Sequence, residues 1–427
     1  MHVILTVLAV ALILSVPIGI GLVLSSISTY FFGITEIINP NYVYKTIVDG
    51  LNSYPLLAIP LFILSGLIMA RGGIAKKLFE FFAYFTGGRT AGLPITGIIT
   101  CMFYGALSGS GPATTAAVGS MVVPYLEGLG YKRNFVAAII ATAGSLGIII
   151  PPSVPFIIYA LAANVSVGEM FIAGIIPGFI IAACLSLCAY AHCRRHGEDK
   201  ELLRKNYESI RAIGFWPLLK DSSWALMTPL IILGGIYGGV FTPTEAATVS
   251  VVYSVFIGLF VYKTMTIRDF PGILAQAAHS LAPLLMVIAA ATLFGRVLAL
   301  LQIPQMITEF LGDSISSFWL IFLMNLILLI AGMLVNVTSA ILILTPVLLP
   351  AATAIGMDPI HFGMMMVVNL SIGLVTPPVG ADLFVACGMF RVPIATLTKH
   401  VMPFLLYFFI ALAIISYMPI VSLVFIR

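Results

Sequence analysis

Gly144-Ser145-Leu146-Gly147-Ile148-Ile149-Ile150-Pro151-Pro152-Ser153 is an apolar stretch cut by two adjacent prolines, and Ser371-Ile372-Gly373-Leu374-Val375-Thr376-Pro377-Pro378 is another. Tandem prolines remove two backbone donors and clash with the preceding turn, so each run reads as a helix that breaks. Lipid cannot satisfy the carbonyls bared by a break, which is tolerated only inside protein or beside a polar cavity. The interval from Pro151 to Pro377 recurs at other landmarks: Pro124 with Pro350, Gly130 with Gly356, Ser145 with Ser371, Gly147 with Gly373, and Pro177 with Pro403. Four of the six prolines in 105–177 realign on prolines of 331–403, where chance would give roughly 0.6. The chain therefore carries an internal repeat.

Composition sets the solvent. Of the 427 residues, 61% are hydrophobic and 8% are charged, against about 25% charged in soluble domains. Lipid must cover much of the surface. The net charge of +4 is small, and its basic residues cluster in loops, a pattern of membrane orientation and not of nucleic-acid binding. No GxxxxGK[ST] loop is present, so the chain does not itself hydrolyse ATP. The five cysteines lie in or beside apolar runs and imply no disulfide framework. The tract from Cys188 through His192 and Cys193 to His196 reads as the end of an apolar helix before a basic anchor, with a metal site as the lesser alternative.

Apolar runs that can span appear at 3–25, 51–70, 134–163, 171–192, 222–240, 243–262, 278–298, 360–388 and 400–424, giving nine expected crossings. The first has no basic leader or convincing cleavage site and reads as a retained helix. Ile74–Phe85 is basic and aromatic, like an interfacial helix. With the basic loop 193–220 placed in the cytoplasm, all Lys and Arg except Lys45, Arg296 and Arg427 fall inside. The N-terminus is then cytoplasmic and the C-terminus periplasmic.

Two runs are too short to span. Pro112–Pro124 covers roughly 20 Å as a helix, short of a hydrocarbon core of about 30 Å, and Ser339–Pro350 is shorter still. Each follows a longer apolar run, so each is expected to close a re-entrant hairpin. An odd number of crossings separates the copies, which makes the repeat inverted and places a binding site near the midplane. The expected organisation is scaffold helices and a first interfacial arm in 1–88. A first transport repeat in 89–192 follows, with its hairpin at 89–126 and broken helix at 134–163. Residues 193–314 hold the cytoplasmic loop, scaffold helices and a second arm. A second transport repeat in 315–427 has its hairpin at 315–352 and broken helix at 360–388. The fold class is an all-α polytopic membrane protein.

Four segments should converge: the tips Ser108-Gly109-Ser110-Gly111 and Asn336-Val337-Thr338-Ser339, and the two breaks. Freed carbonyls and hydroxyls suit a hard cation such as sodium, and half-helix N-termini suit a carboxylate. The sodium candidates are Ser110, Gly111, Gly144, Ser145 and Gly147 in one copy, and Thr338, Ser371, Gly373, Thr376 and Pro377 in the other. Two or more sodium ions are expected. The substrate candidates are Ser108, Ser153, Asn336 and Asp382. Ser108, Ser110 and Thr338 have capping as their plainer alternative. Asp382 is an intramembrane carboxylate and a functional candidate by default, or else it lies at a water-filled edge. Thr242-Pro243-Thr244-Glu245 reads as a capping box. Arg296 is expected to snorkel to the outer surface in preference to a partner.

At these motifs the chain resembles the large membrane subunit of tripartite ATP-independent periplasmic transporters. The resemblance covers essentially the whole chain. It rests on Ser108–Gly111, Pro151-Pro152, Thr376-Pro377-Pro378, Thr242–Ala246 and Gly332-Met333-Leu334-Val335-Asn336. It implies an elevator-type, sodium-coupled importer in a bacterial inner membrane, with a small four-helix membrane subunit and a periplasmic substrate-binding protein as partners. The implied substrates are organic acids, sialic acid first and a four-carbon dicarboxylate next. Asn336 stands where the family pattern has Asp, and Asp382 where it has Asn. The competing readings are a stand-alone anion carrier, a passive channel, and an intramembrane enzyme. The last lacks a visible acid–base or metal constellation.

Overall fold

The computed structural model describes residues 2–35, 37–71, 73–303, 305–306 and 316–426, and no strand occurs among them. The first helices are α1 (His2–Ile13), α2 (Ile18–Phe31), α3 (Pro40–Leu51), α4 (Ala58–Ala70) and α5 (Ile74–Thr86). The first hairpin is α6 (Gly92–Ser108) and α7 (Gly111–Gly128). The first broken helix is α8 (Arg133–Gly144), a 3-10 turn Ser145–Ile148, and α9 (Val154–Ala163). Then come α10 (Val167–His196), α11 (Lys200–Ile213), α12 (Phe215–Tyr237), α13 (Pro243–Phe256) and α14 (Phe270–Leu300). The second hairpin is α15 (Ser317–Leu334) and α16 (Val337–Ala354), the second broken helix is α17 (Pro359–Gly373) and α18 (Ala381–Phe390), and α19 (Ile394–Tyr417) and α20 (Ile420–Leu423) close the chain.

The repeat is visible in the element bounds. α16 begins and ends at the same interval from α7 that separates the two proline pairs. Past the breaks, from α9 to α18, the interval lengthens by a single position. Each copy buries its apolar faces on the other: α7 packs on α18 and α16 on α9, while α8 packs on α19 and α17 on α10. Outside the repeats, α2 packs on α14 and α13 on α4. Exchange of this kind leaves neither copy a free-standing domain.

α4 and α14 run antiparallel, with an ion pair at each end. Arg71 at the C-cap of α4 lies 3.8 Å from Asp269 before α14, and Arg296 near the end of α14 lies 3.6 Å from Asp49 on α3. Arg296 thus has a partner, contrary to the snorkelling expected of it. Both pairs are about half exposed, so each contributes less than about 1 kcal/mol.

Several expectations change. The run 3–25 is two helices, because Ser15 adopts φ 57° and Pro17 caps a new start. Run 51–70 is joined to α3 through a 57° bend, and 222–240 is the longer α12, which also takes in Lys220 and Asp221. The basic loop 193–220 contains α11. Six helices of the described residues are long and apolar enough to cross a membrane, seven with the bent pair, and two of these are the limbs α15 and α16. The expected short limbs do not end at Pro124 and Pro350, which lie inside 18-residue helices. A proline deletes one helical hydrogen bond without obliging the helix to stop. The turn at each tip, and not limb length, marks the hairpins. The run 74–85, expected to be interfacial, forms α5, and the Thr242–Glu245 capping box is present. Most of the expected second arm, residue 315 at the edge of the second hairpin, and Arg427 lie outside the described residues.

Candidate functional site

Each hairpin tip is a helix end followed at once by a helix start. At the first, Gly109 turns the chain with φ 59° and Ser110 caps α7, its hydroxyl accepting from the Ala113 N–H at 3.4 Å. At the second, Asn336 Oδ1 accepts from the Thr338 N–H at 3.0 Å. The two caps, Ser110 and Asn336, occupy equivalent positions of the repeat. Ser108 Oγ reaches across its turn to Thr114 Oγ1 (2.7 Å) and donates to the Ser110 carbonyl (3.2 Å).

Both tips open on one cavity of about 490 Å³. Ser108, Gly109, Ser110, Pro112 and Ala113 line it from one copy and Asn336, Val337, Thr338 and Ser339 from the other, with Ile148, Val154, Leu374 and Ala381 at the breaks. The opposite wall comes from α4 (Ile63, Gly66, Leu67, Ala70) and α14 (Ser280, Pro283, Leu284, Val287), each a one-face helical stripe. No charged side chain lines the cavity among the described residues. What the tips present is hydroxyls, an amide and two helix N-termini, whose partial positive charge favours an anion.

The breaks stand behind the tips. Pro151-Pro152 and Pro377-Pro378 are both cis. Ser145 Oγ donates to the Thr142 carbonyl and Ser371 Oγ to that of Val368, at 2.7 and 2.6 Å, equivalent bonds in the two copies. Ser153 donates to the Ile148 carbonyl and Thr376 to that of Ile372, each at 2.6 Å. Each hydroxyl keeps lone pairs that can hold a cation. Glycine permits close approach here: a Cβ on Gly147 would lie 2.5 Å from Thr114 Oγ1 and 2.7 Å from the Ser110 carbonyl oxygen.

The structure places the sequence-derived residues differently. Ser108, Ser110, Asn336 and Thr338 line the cavity. Gly144, Ser145 and Gly147 lie behind the first tip, and Gly111 beside them at the start of α7; Ser371 and Gly373 lie behind the second tip. Ser153, Thr376 and Pro377 do not reach the cavity lining. Asp382 is fully buried against Gly111 and not at a wet edge. Sequence reading missed Thr114, Thr115, Ser280 and Pro283. The first two fall one turn inside α7 from the tip, a helical spacing that could have found them. In the cysteine tract, His192 stacks on His196, and the described residues hold no cluster of three or more His, Cys, Asp or Glu placed to bind a metal.

Inverted repeats, paired hairpins and a cavity between the repeats and the helices α4 and α14 define a secondary membrane transporter. The chain belongs to the family described as the tripartite ATP-independent periplasmic transporter, DctM component, whose model matches residues 5–421. It is 38% identical to the isethionate TRAP transporter permease protein DctMQ of Oleidesulfovibrio alaskensis over 98% of its own length and 65% of that protein's. It is also 38% identical to the C4-dicarboxylate TRAP transporter large permease protein DctM of Rhodobacter capsulatus, covering 97% and 96% of the two chains. Against the sialic acid TRAP transporter large permease protein SiaM of Vibrio cholerae the identity is 34%, with 94% and 93% covered. In fold the chain is similar to the YdaH transporter of Alcanivorax borkumensis (TM-score 0.64, 15% identity, 89% of each chain). It is similar as well to MtrF of Neisseria gonorrhoeae (TM-score 0.64, 13% identity, 90% and 85%).

Proposed function

We propose that this chain is the permease of a sodium-driven importer of an organic acid. It would work in a bacterial inner membrane with its N-terminus in the cytoplasm, beside a small four-helix membrane subunit, and receive substrate from a periplasmic binding protein. The observation that carries the reading is the shared cavity: tips from both inverted copies face one space, and the scaffold face opposite is apolar except for Ser280. Polar groups that hold a substrate therefore belong to the hairpin unit. A substrate bound there travels with that unit along a smooth wall, which is elevator transport. The substrate carboxylate sits at the N-termini of α7 and α16, with Ser108, Ser110, Asn336 and Thr338 taking its neighbouring hydroxyls. Paired oxygens from tips and breaks hold sodium.

A lining rich in hydroxyls and lacking Arg or Lys favours a monocarboxylate with several hydroxyl groups, such as sialic acid, over a four-carbon dicarboxylate. The test is uptake into proteoliposomes holding the chain and its small subunit, with binding protein outside. Uptake that requires both the binding protein and an inward sodium gradient is expected. Uptake that persists when the sodium gradient is removed refutes the coupling, and uptake without any binding protein supports a stand-alone carrier.

A further inference from the structure

The two transport repeats match in backbone and differ in charge. Asp382 is the second residue of α18, and the second residue of α9, its counterpart, is Pro155. One copy thus places a carboxylate where the other places a proline ring. The Asp382 side chain is fully buried, and neither oxygen has a hydrogen-bond partner among the described residues. Both oxygens face the first turn of α7: a Cβ on Gly111 would lie 2.9 Å from Oδ2 and 3.1 Å from Oδ1. One turn further along α7, Thr115 Oγ1 is also buried and without a partner, and it stands where a Cβ on Gly144 would fall.

Two sets of orphaned oxygens beside one helix turn call for an occupant. The N-terminus of α7 offers Asp382 only a partial positive charge, and none of the ion pairs of the described residues includes it. A buried carboxylate needs a counter-charge. A proton would satisfy Asp382 and leave Thr115 orphaned, whereas a hard monovalent cation takes several oxygen ligands at once. An organic anion is repelled.

We propose that Asp382 and Thr115 bind a sodium ion beside the first turns of α7, an anionic cation site whose symmetry counterpart, where Pro155 stands, has no carboxylate. The proposal rests on the sodium-coupled reading above, and it moves Asp382 from the substrate to the cation. Equilibrium binding of radioactive sodium to the purified chain in nanodiscs tests it without transport. Asp382→Asn is expected to weaken one class of sodium site at least tenfold and leave the rest unchanged. Thr115→Val, close to isosteric, weakens the same class and serves if Asp382→Asn fails to fold, while Asp382→Glu retains binding. Sodium binding by Asp382→Asn and Thr115→Val equal to wild type overturns the site alone. So does a variant that loses only a pH dependence, since that marks a proton. Wild-type chain that binds no sodium refutes sodium coupling and this site together.

Discussion

Gly332 on α15 and Gly373 at the end of α17 meet backbone to backbone. A Cβ on Gly373 would come to 2.4 Å from the carbonyl carbon of Gly332. The first copy repeats the contact: a Cβ on Gly105 would lie 2.7 Å from the Gly147 α carbon. Close packing of each hairpin on its own broken helix joins tip and break into one packed unit, as the proposed elevator movement requires.

Alanine at Gly373 has no room and meets backbone, which cannot rotate away. Overpacking of this kind costs about 1–3 kcal/mol, so Gly373→Ala should lower the melting temperature by several degrees. Gly388→Ala is the control: nothing lies within 4 Å of its Cβ position on α18. Helix propensity there favours alanine by roughly 0.5–1 kcal/mol, so that variant should melt no lower than wild type. Equal melting of the two variants counts against the contact.

A polar knot strengthens the second copy alone. The Asn369 amide donates to Asn325 Oδ1 at 2.7 Å and to the Asn325 carbonyl at 2.9 Å, and Asn325 Nδ2 donates to Ser416 Oγ at 3.3 Å. Asn369→Ala leaves Asn325 short of a partner, at about 1–3 kcal/mol. Adding Asn325→Ala should then cost less than it does alone, because the two share their bonds. Thermal melts of the two singles and the double check this, and strictly additive shifts would contradict it.

Ser108 and Thr114 act as one hydroxyl pair at the first tip. Ser108→Ala and Thr114→Val should each raise the half-saturating substrate concentration by about tenfold, equivalent to about 1.4 kcal/mol. The double variant should resemble either single. Uptake curves that show a hundredfold loss in the double would mean the hydroxyls act separately.

The hairpins and breaks were legible because both write themselves into sequence. Ser108–Gly111 supplies a cap beside glycines that allow a tight turn, and Pro151-Pro152 and Pro377-Pro378 delete donors at fixed places. Their recurrence at one constant interval pointed to the repeat, and the odd number of expected crossings between the copies pointed to its inversion. Ser280 and Pro283 were not legible, since which face of a long apolar helix meets the cavity depends on packing against α4, a tertiary fact. Arg296 with Asp49 was hidden for the same reason, as α3 lies far away in the chain. The split of 3–25 turns on Ser15 adopting a left-handed turn, which its residue type does not demand, together with Pro17 at the new helix start, a break signal that the continuous apolar run outweighed.

That the two tips belong to a single site can be read directly by chemical protection. Ser110→Cys and Asn336→Cys are made separately in a chain whose two partly accessible cysteines, Cys184 and Cys387, are replaced by alanine; the remaining three are buried. Each is labelled with a small maleimide against rising substrate in the presence of sodium. The same substrate should shield both positions with the same half-maximal concentration. Shielding at one tip only, or at concentrations more than tenfold apart, would mean that the two copies do not share a binding site.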